Sequence, residues 1–203
     1  VDLKTSEARE DLSFLQGLRG TATNGRTDLL PSFYGLVSRD LSDALNAYAG
    51  LGFASRTPDP QERYMNLDRP MMNTDWVGNP ELDPVENTEL QAGFQYRKDR
   101  VSLQGSLFYA RLRDYIYLAA LPSGGGSTYR SLDARLYGFD ATARWRPDEE
   151  LSFEAGLAWQ KGLKDGPPAW STNRVLAEIP PLRGRLAANW AKQRWRIRLE
   201  ALF

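Results

Sequence analysis

The chain has no cysteine, no histidine and three methionines among its 203 residues. Without thiols there is no disulfide framework and no thiolate nucleophile or ligand. Without imidazole, every Ser-His or Cys-His mechanism and every histidine-ligated metal centre is excluded for this chain acting alone. Charge of one sign is also missing, since 26 Lys and Arg balance 26 Asp and Glu. The basic excess that marks a nucleic-acid binder is therefore absent, and no nucleic-acid partner is expected. Mean hydropathy is −0.53, and no run approaches the roughly 18 apolar residues of a membrane-crossing helix. No basic-then-apolar leader segment is read at the start.

What the chain does have is a period of two. Leu90, Ala92, Phe94 and Tyr96 alternate with Glu89, Gln91, Gln95 and Arg97. Tyr137, Phe139, Ala141, Ala143 and Trp145 oppose Gly138, Asp140, Thr142 and Arg144, and Leu151, Phe153, Ala155, Leu157 and Trp159 oppose Ser152, Glu154, Gly156 and Gln160. Near the end, Leu182, Leu186, Ala188 and Trp190 oppose Arg183, Arg185 and Asn189; Trp195, Ile197, Leu199, Ala201 and Phe203 oppose Arg196, Arg198 and Glu200. With runs near 31–40, 44–56 and 101–109, the pattern predicts roughly eight strands of about 9–14 residues. Strands in globular sheets are usually about 5–6 residues long.

The connections alternate in length. Short polar turns are expected at 41–43, 98–100, 147–150 and 192–194, and long loops rich in Pro, Gly, Asn and Asp at 57–84, 119–131 and 162–180. Strict alternation of this kind is what an outer-membrane barrel shows. Tyr96, Trp145, Trp190 and Trp195 all lie close to a short turn on the apolar side, where the amphipathic rings of a membrane-interface girdle would sit. The expected fold is all-β: a transmembrane antiparallel up-and-down barrel, apolar side chains toward outer-membrane lipid and charges toward the lumen. The lumen-facing set is Glu89, Arg97, Asp140, Arg144, Glu154, Arg183, Arg185, Arg196, Arg198 and Glu200. A passive porin-like or small complete barrel, which would close within eight strands, and a soluble β-sandwich binding module are the alternatives. The sandwich would bury Leu90, Phe94, Phe153 and Leu157.

Other constellations carry no chemistry. Gly124-Gly125-Gly126 lacks the Lys-Ser/Thr and helix of a phosphate cradle, and Glu149-Glu150 falls in a tight turn. No catalytic residue, cofactor or enzymatic activity is expected.

Gly52-Phe53-Ala54-Ser55-Arg56-Thr57-Pro58-Asp59-Pro60-Gln61-Glu62-Arg63-Tyr64 resembles the strand-to-loop segment in the C-terminal half of TonB-dependent outer-membrane receptors. Gly78-Asn79-Pro80-Glu81-Leu82-Asp83-Pro84-Val85-Glu86-Asn87 resembles the stretch that follows it in that family. Read physically, each proline ends or extends the chain, because it lacks an N–H and restricts the residue before it. The resemblance implies a barrel of about 22 strands around a plug domain, of which residues 30–203 would supply about eight strands, with 1–29 as an outer-loop segment and the plug absent from this chain. It further implies location in the bacterial outer membrane, import of a scarce metal or a metal chelate such as a siderophore, and two protein partners. These are the receptor's own plug and the TonB energy-transducing complex. Within the family, Arg63-Tyr64-Met65-Asn66-Leu67 and Ile179-Pro180-Pro181-Leu182-Arg183-Gly184 look most like the copper-receptor branch. Met65, Met71 and Met72 all fall in the loop 57–84. Thioether sulfur is a soft ligand suited to Cu(I), although methionine also fills gaps beneath long loops.

Overall fold

A computed structural model describes residues 2–7, 25–67, 75–121, 126–166 and 173–203. Strands β1 (Asp2–Glu7) and β2 (Gly25–Leu30) pair antiparallel as a separate two-stranded sheet, lying almost wholly within the stretch read as an outer loop. The main sheet is built from β3 (Ser32–Ser42), β4 (Leu45–Arg56), β7 (Val85–Lys98), β8 (Val101–Ala120), β9 (Gly126–Trp145), β10 (Leu151–Asp165), β11 (Arg183–Lys192) and β12 (Trp195–Leu202). Between β4 and β7 lie a short helix α1 (Pro60–Tyr64) and the small strands β5 (Asn66–Leu67) and β6 (Asp75–Val77).

The long strands follow the order β12-β11-β10-β9-β8-β7-β4-β3. Each lies beside its neighbour in the chain once β5 and β6 are set aside, which is the meander of an up-and-down barrel wall. Among the described residues the path does not close, and β3 and β12 stand at its two ends. That excludes a small barrel complete within these eight strands.

Strand lengths exceed the sequence expectation. β8 and β9 have 20 residues each, so pairing runs into the loop expected at 119–131, to Ala120 on one side and from Gly126 on the other. The β-branched and aromatic residues Tyr115-Ile116-Tyr117 and Thr128-Tyr129 favour this continued pairing. The expected loop 57–84 likewise contains α1, β5 and β6, and β6 pairs with the start of β9 in parallel.

The chain divides into two compact units: residues 1–33, 53–88 and 112–134, and residues 34–52, 89–111 and 135–203. In the second unit the strand stretches 89–98, 101–111 and 135–145 each have the roughly 9–11 residues that a tilted strand needs to cross a bilayer. Large apolar side chains of this unit's strands, β10 included, stand exposed: Leu90 at 55%, Phe94 at 42%, Phe153 at 40% and Leu157 at 39%. A soluble sandwich must bury these four, so that reading is corrected. The first unit has a conventional buried centre, in which Leu82, Val85 and Ile116 pack with Tyr129 against them.

Candidate functional site: a buried loop knot and a charged sheet face

In the first unit the two prolyl motifs meet. β4 ends at Arg56, and Asp59 leads into α1 with Pro60 in the first turn. The Asp59 N–H donates to Glu62 Oε2 at 2.7 Å, which satisfies a backbone donor that the helix cannot. Glu62 also accepts from Arg56 Nη1 at 2.9 Å and Nη2 at 3.1 Å. Sequence reading missed this helix. Its signal was Asp59-Pro60-Gln61-Glu62, a cap residue followed by Pro at the first helical position and Glu at the third.

Fully buried Arg63 lies at the centre of the knot. Its guanidinium reaches Asp28, which is 4% exposed, with Nη1–Oδ2 at 2.6 Å and Nη2–Oδ1 at 3.0 Å. It also donates to Ser6 Oγ at 2.8 Å and to the Leu82 carbonyl at 3.0 Å. Thr57 Oγ1 donates to Asp28 as well, and Arg26 Nε stands 3.6 Å from the same carboxylate. Burial pushes the Asp28 carboxyl up. Hydrogen bonds from Arg63 and Thr57, with the charges of Arg63 and Arg26, outweigh that and hold it below its ordinary range.

The second motif closes on the helix end. The Gly78 N–H donates to the Met65 carbonyl at 2.7 Å, and the Asn79 N–H to the Glu62 carbonyl at 2.8 Å. These satisfy carbonyls that the end of α1 leaves open. Asn79 Nδ2 donates to the Tyr129 carbonyl at 3.1 Å, which ties the motif to β9. Pro58 and Pro80 are fully buried.

Met65 lies at the end of α1, partly buried, whereas Met71 and Met72 lie outside the described residues. The loop aromatics serve the loop's own packing. Trp76 stacks on Tyr129 with ring centroids 6.1 Å apart, and Tyr64 Oη donates to the Ser6 carbonyl at 3.2 Å. Trp170 lies outside the described residues.

In the second unit, hydrogen bonds that cross strands define one polar face. Gln104 Nε2 donates to Thr142 Oγ1 at 2.8 Å, Ser106 donates to Asp140, and Asn189 Nδ2 donates to Ser152 Oγ at 3.2 Å. Glu154 gathers three guanidiniums: Arg144 at 2.5 Å, Arg185, and Arg198 at 3.7 Å. Glu200 takes Arg185 Nε and Arg198 Nε, each at 3.1 Å.

Alternation alone would let the arginines of β12 stack as a ladder against Arg183 and Arg185 of β11. The register differs. Arg198 lies opposite Asn189, to which it donates at 2.7 Å, and Arg196 lies opposite Ala191. Arg185 lies opposite Leu202, so carboxylates interleave with the guanidiniums and relieve the repulsion of a cationic ladder. Arg97, Arg183 and Arg196 meet no carboxylate among the described residues, and Glu89 shows no ion pair there. The opposite face is apolar, with Trp145 stacked on Phe153 at 5.6 Å and Trp195 exposed.

A family model described as "TonB dependent receptor-like, beta-barrel" matches residues 5–202. No curated protein matches the chain. Among solved structures, a copper transporter, OprC, superposes with a TM-score of 0.74 at 28% identity, over 89% of this chain and 27% of its own. The siderophore receptor PirA from Pseudomonas aeruginosa gives 0.62 at 16% identity, over 88% of this chain and 30% of its own. The Serratia marcescens hemophore receptor HasR, solved with its hemophore HasA and heme, gives 0.64 at 17%, over 94% and 36%. The chain therefore spans roughly a third or less of the structures it resembles.

Proposed function

Because the chain belongs to the TonB-dependent receptor-like β-barrel family, we propose that it forms part of the wall of a bacterial outer-membrane receptor that imports copper. The observation that carries this reading is the division of the second unit's sheet into an exposed apolar face and a charged face. Exposed Leu90, Phe94, Leu107 and Leu199 have no use in water, and lipid satisfies them. The charged face then lines the lumen, where a polypeptide plug docks. The TonB complex drives displacement of that plug from the inner-membrane side. The loop between β4 and β7, held by the Arg63–Asp28 knot, belongs to the ligand-capturing surface. No covalent chemistry is required.

Copper is favoured over an iron chelate by the 28% identity to a copper transporter, whereas the siderophore and hemophore receptors share the fold at 16–17%. The methionines supply the soft donors that Cu(I) prefers. The reading is tested by copper accumulation in cells that carry or lack the full-length receptor, grown at limiting copper with and without a functional TonB. Accumulation that needs both receptor and TonB is expected. Unchanged copper with receptor-dependent uptake of a ferric siderophore would assign a different cargo.

A further inference from the structure

We infer that the apolar face of the second unit ends in a site for the phosphate groups of outer-leaflet lipid headgroups, formed by Arg111 on β8, Arg135 on β9 and Lys161 on β10. The inference rests on the proposed receptor reading, in which this face meets lipid, and names the headgroup chemistry it selects.

Alternation fixes the face. Gln104 and Ser106 bond across to Thr142 and Asp140 on the polar side, so Leu103, Leu107, Tyr109 and Arg111 share the opposite side. The same count puts Arg135 next after Phe139 and Tyr137 on β9, and Lys161 next after Leu157 and Trp159 on β10. Carried up the strands, the register of the two polar pairs sets Arg111 opposite Arg135. Trp159 packs against Tyr137 at 5.9 Å and Phe139 at 6.0 Å, an aromatic level separate from the Trp145–Phe153 stack near the short turn. Arg135 lies ten residues from Trp145. That is about 33 Å along a strand, and about 25 Å across the bilayer at a tilt of about 40°. A barrel's apolar band has this height, so the three cations stand at its outer edge, at the end away from the short turns.

The charge there is unbalanced. Asp165 is committed to Arg135, with Oδ1 2.8 Å from Nε and 2.5 Å from Nη2. Arg111 and Lys161 are exposed and make no ion pair among the described residues. Like charges directly opposite on paired strands repel, and an anion between Arg111 and Arg135 removes that cost. Phosphate oxygens meet guanidinium forks in pairs, and a lysine ammonium adds a third contact. Lipid is the source favoured by continuity with the apolar face. Acyl chains lying on exposed Leu103, Leu107 and Phe139 bring their phosphates to this level.

The test titrates the full-length receptor in detergent micelles with diphosphoryl lipid A, and with the same lipid after phosphate removal, read by native mass spectrometry. Arg111→Gln with Lys161→Gln removes the two unpaired cations and leaves the Arg135–Asp165 pair intact; heat-modifiable gel migration reports folding. The expected result is saturable binding of the phosphorylated lipid that weakens about 10–30-fold in the double variant. Arg111→Lys with Lys161→Arg should retain it, and the dephosphorylated lipid should bind wild type and variant alike. Equal affinity of wild type and double variant for the phosphorylated lipid would overturn the inference. Inorganic phosphate binding that the double variant loses, with lipid binding unchanged, would assign a soluble anion instead. Carbodiimide coupling of Lys161 to a carboxylate elsewhere in the receptor would show a protein partner in place of lipid, and would also overturn it. A spin label at position 107 separates these failures from that of the receptor reading. If it meets oxygen in lipid while the double variant binds like wild type, only the headgroup site is wrong; if it meets no lipid, the reading falls with the site.

Discussion

Gly78 lies against the backbone of Arg63 so closely that a Cβ at position 78 would stand 2.5 Å from the Arg63 carbonyl carbon and oxygen. The two sequence motifs are thus the two halves of one clasp, and the glycine is required by close approach rather than by its own conformation. Gly78→Ala must push the clasp open or distort α1. A loss of about 1–3 kcal/mol is expected, the usual range for forcing atoms into a packed site. Native-state hydrogen exchange at Gly78 and Asn79 in the full-length receptor reads it, as faster exchange confined to this loop.

The Arg63–Asp28 pair predicts a second effect. Removing one partner leaves the other charge buried, so Asp28→Asn or Arg63→Met should cost about 3–5 kcal/mol of loop stability. Limited proteolysis between residues 56 and 85 is the direct measurement, and rapid cleavage in both variants is expected.

The same pair sets a pH dependence. The Asp28 carboxyl is held below its ordinary value in the folded loop. The unfolded loop therefore takes up its proton first as pH falls, and the native advantage is lost on the acid side. This contribution is full above the ordinary carboxyl value of about 3.9 and disappears as pH drops through the lower folded value. Proteolysis or exchange of the loop followed from pH 7 to pH 3 should show it. Asp28→Asn should flatten that dependence.

The interleaved charges of the polar face make Glu154 and Glu89 unequal. Glu154 is shared by three guanidiniums, and Glu89 has no ion pair among the described residues. Glu154→Gln should cost about 1.5–3 kcal/mol, the usual worth of hydrogen bonds to a charged group, while Glu89→Gln should change little. Urea unfolding of the reconstituted full-length receptor separates the two.

Much of this architecture was legible in the sequence because a strand's side chains alternate strictly between faces. Leu90, Phe94, Phe153 and Leu157 needed only their positions to be placed together, and the short turns at 98–100 and 192–194 matched charged, non-β residues. Strand length was less legible. Once β8 and β9 pass Arg111 and Arg135, pairing continues without the clean apolar-polar contrast that a bilayer imposes, so the alternation fades before the strands end. The knot was least legible. Asp28 and Arg63 are 35 residues apart, and nothing local marks an aspartate as the buried partner of a distant arginine. The Pro-rich motifs showed where a loop is shaped; that they clasp each other required the structure.

The claim that one face meets lipid and the other an aqueous or protein-filled lumen is tested most directly along β8. Single spin-labelled cysteines at positions 102, 103, 104, 106 and 107 of the full-length receptor, reconstituted in vesicles, would be probed for collision with oxygen, which concentrates in lipid, and with a water-soluble nickel chelate. Gly105 is omitted because a Cβ there would meet the Phe94 ring at 2.8 Å. The expected result is a period of two, with oxygen contact dominant at 103 and 107 and low at 102, 104 and 106. Equal access of the nickel chelate to both faces, or low oxygen contact at 103 and 107, would contradict a membrane barrel wall.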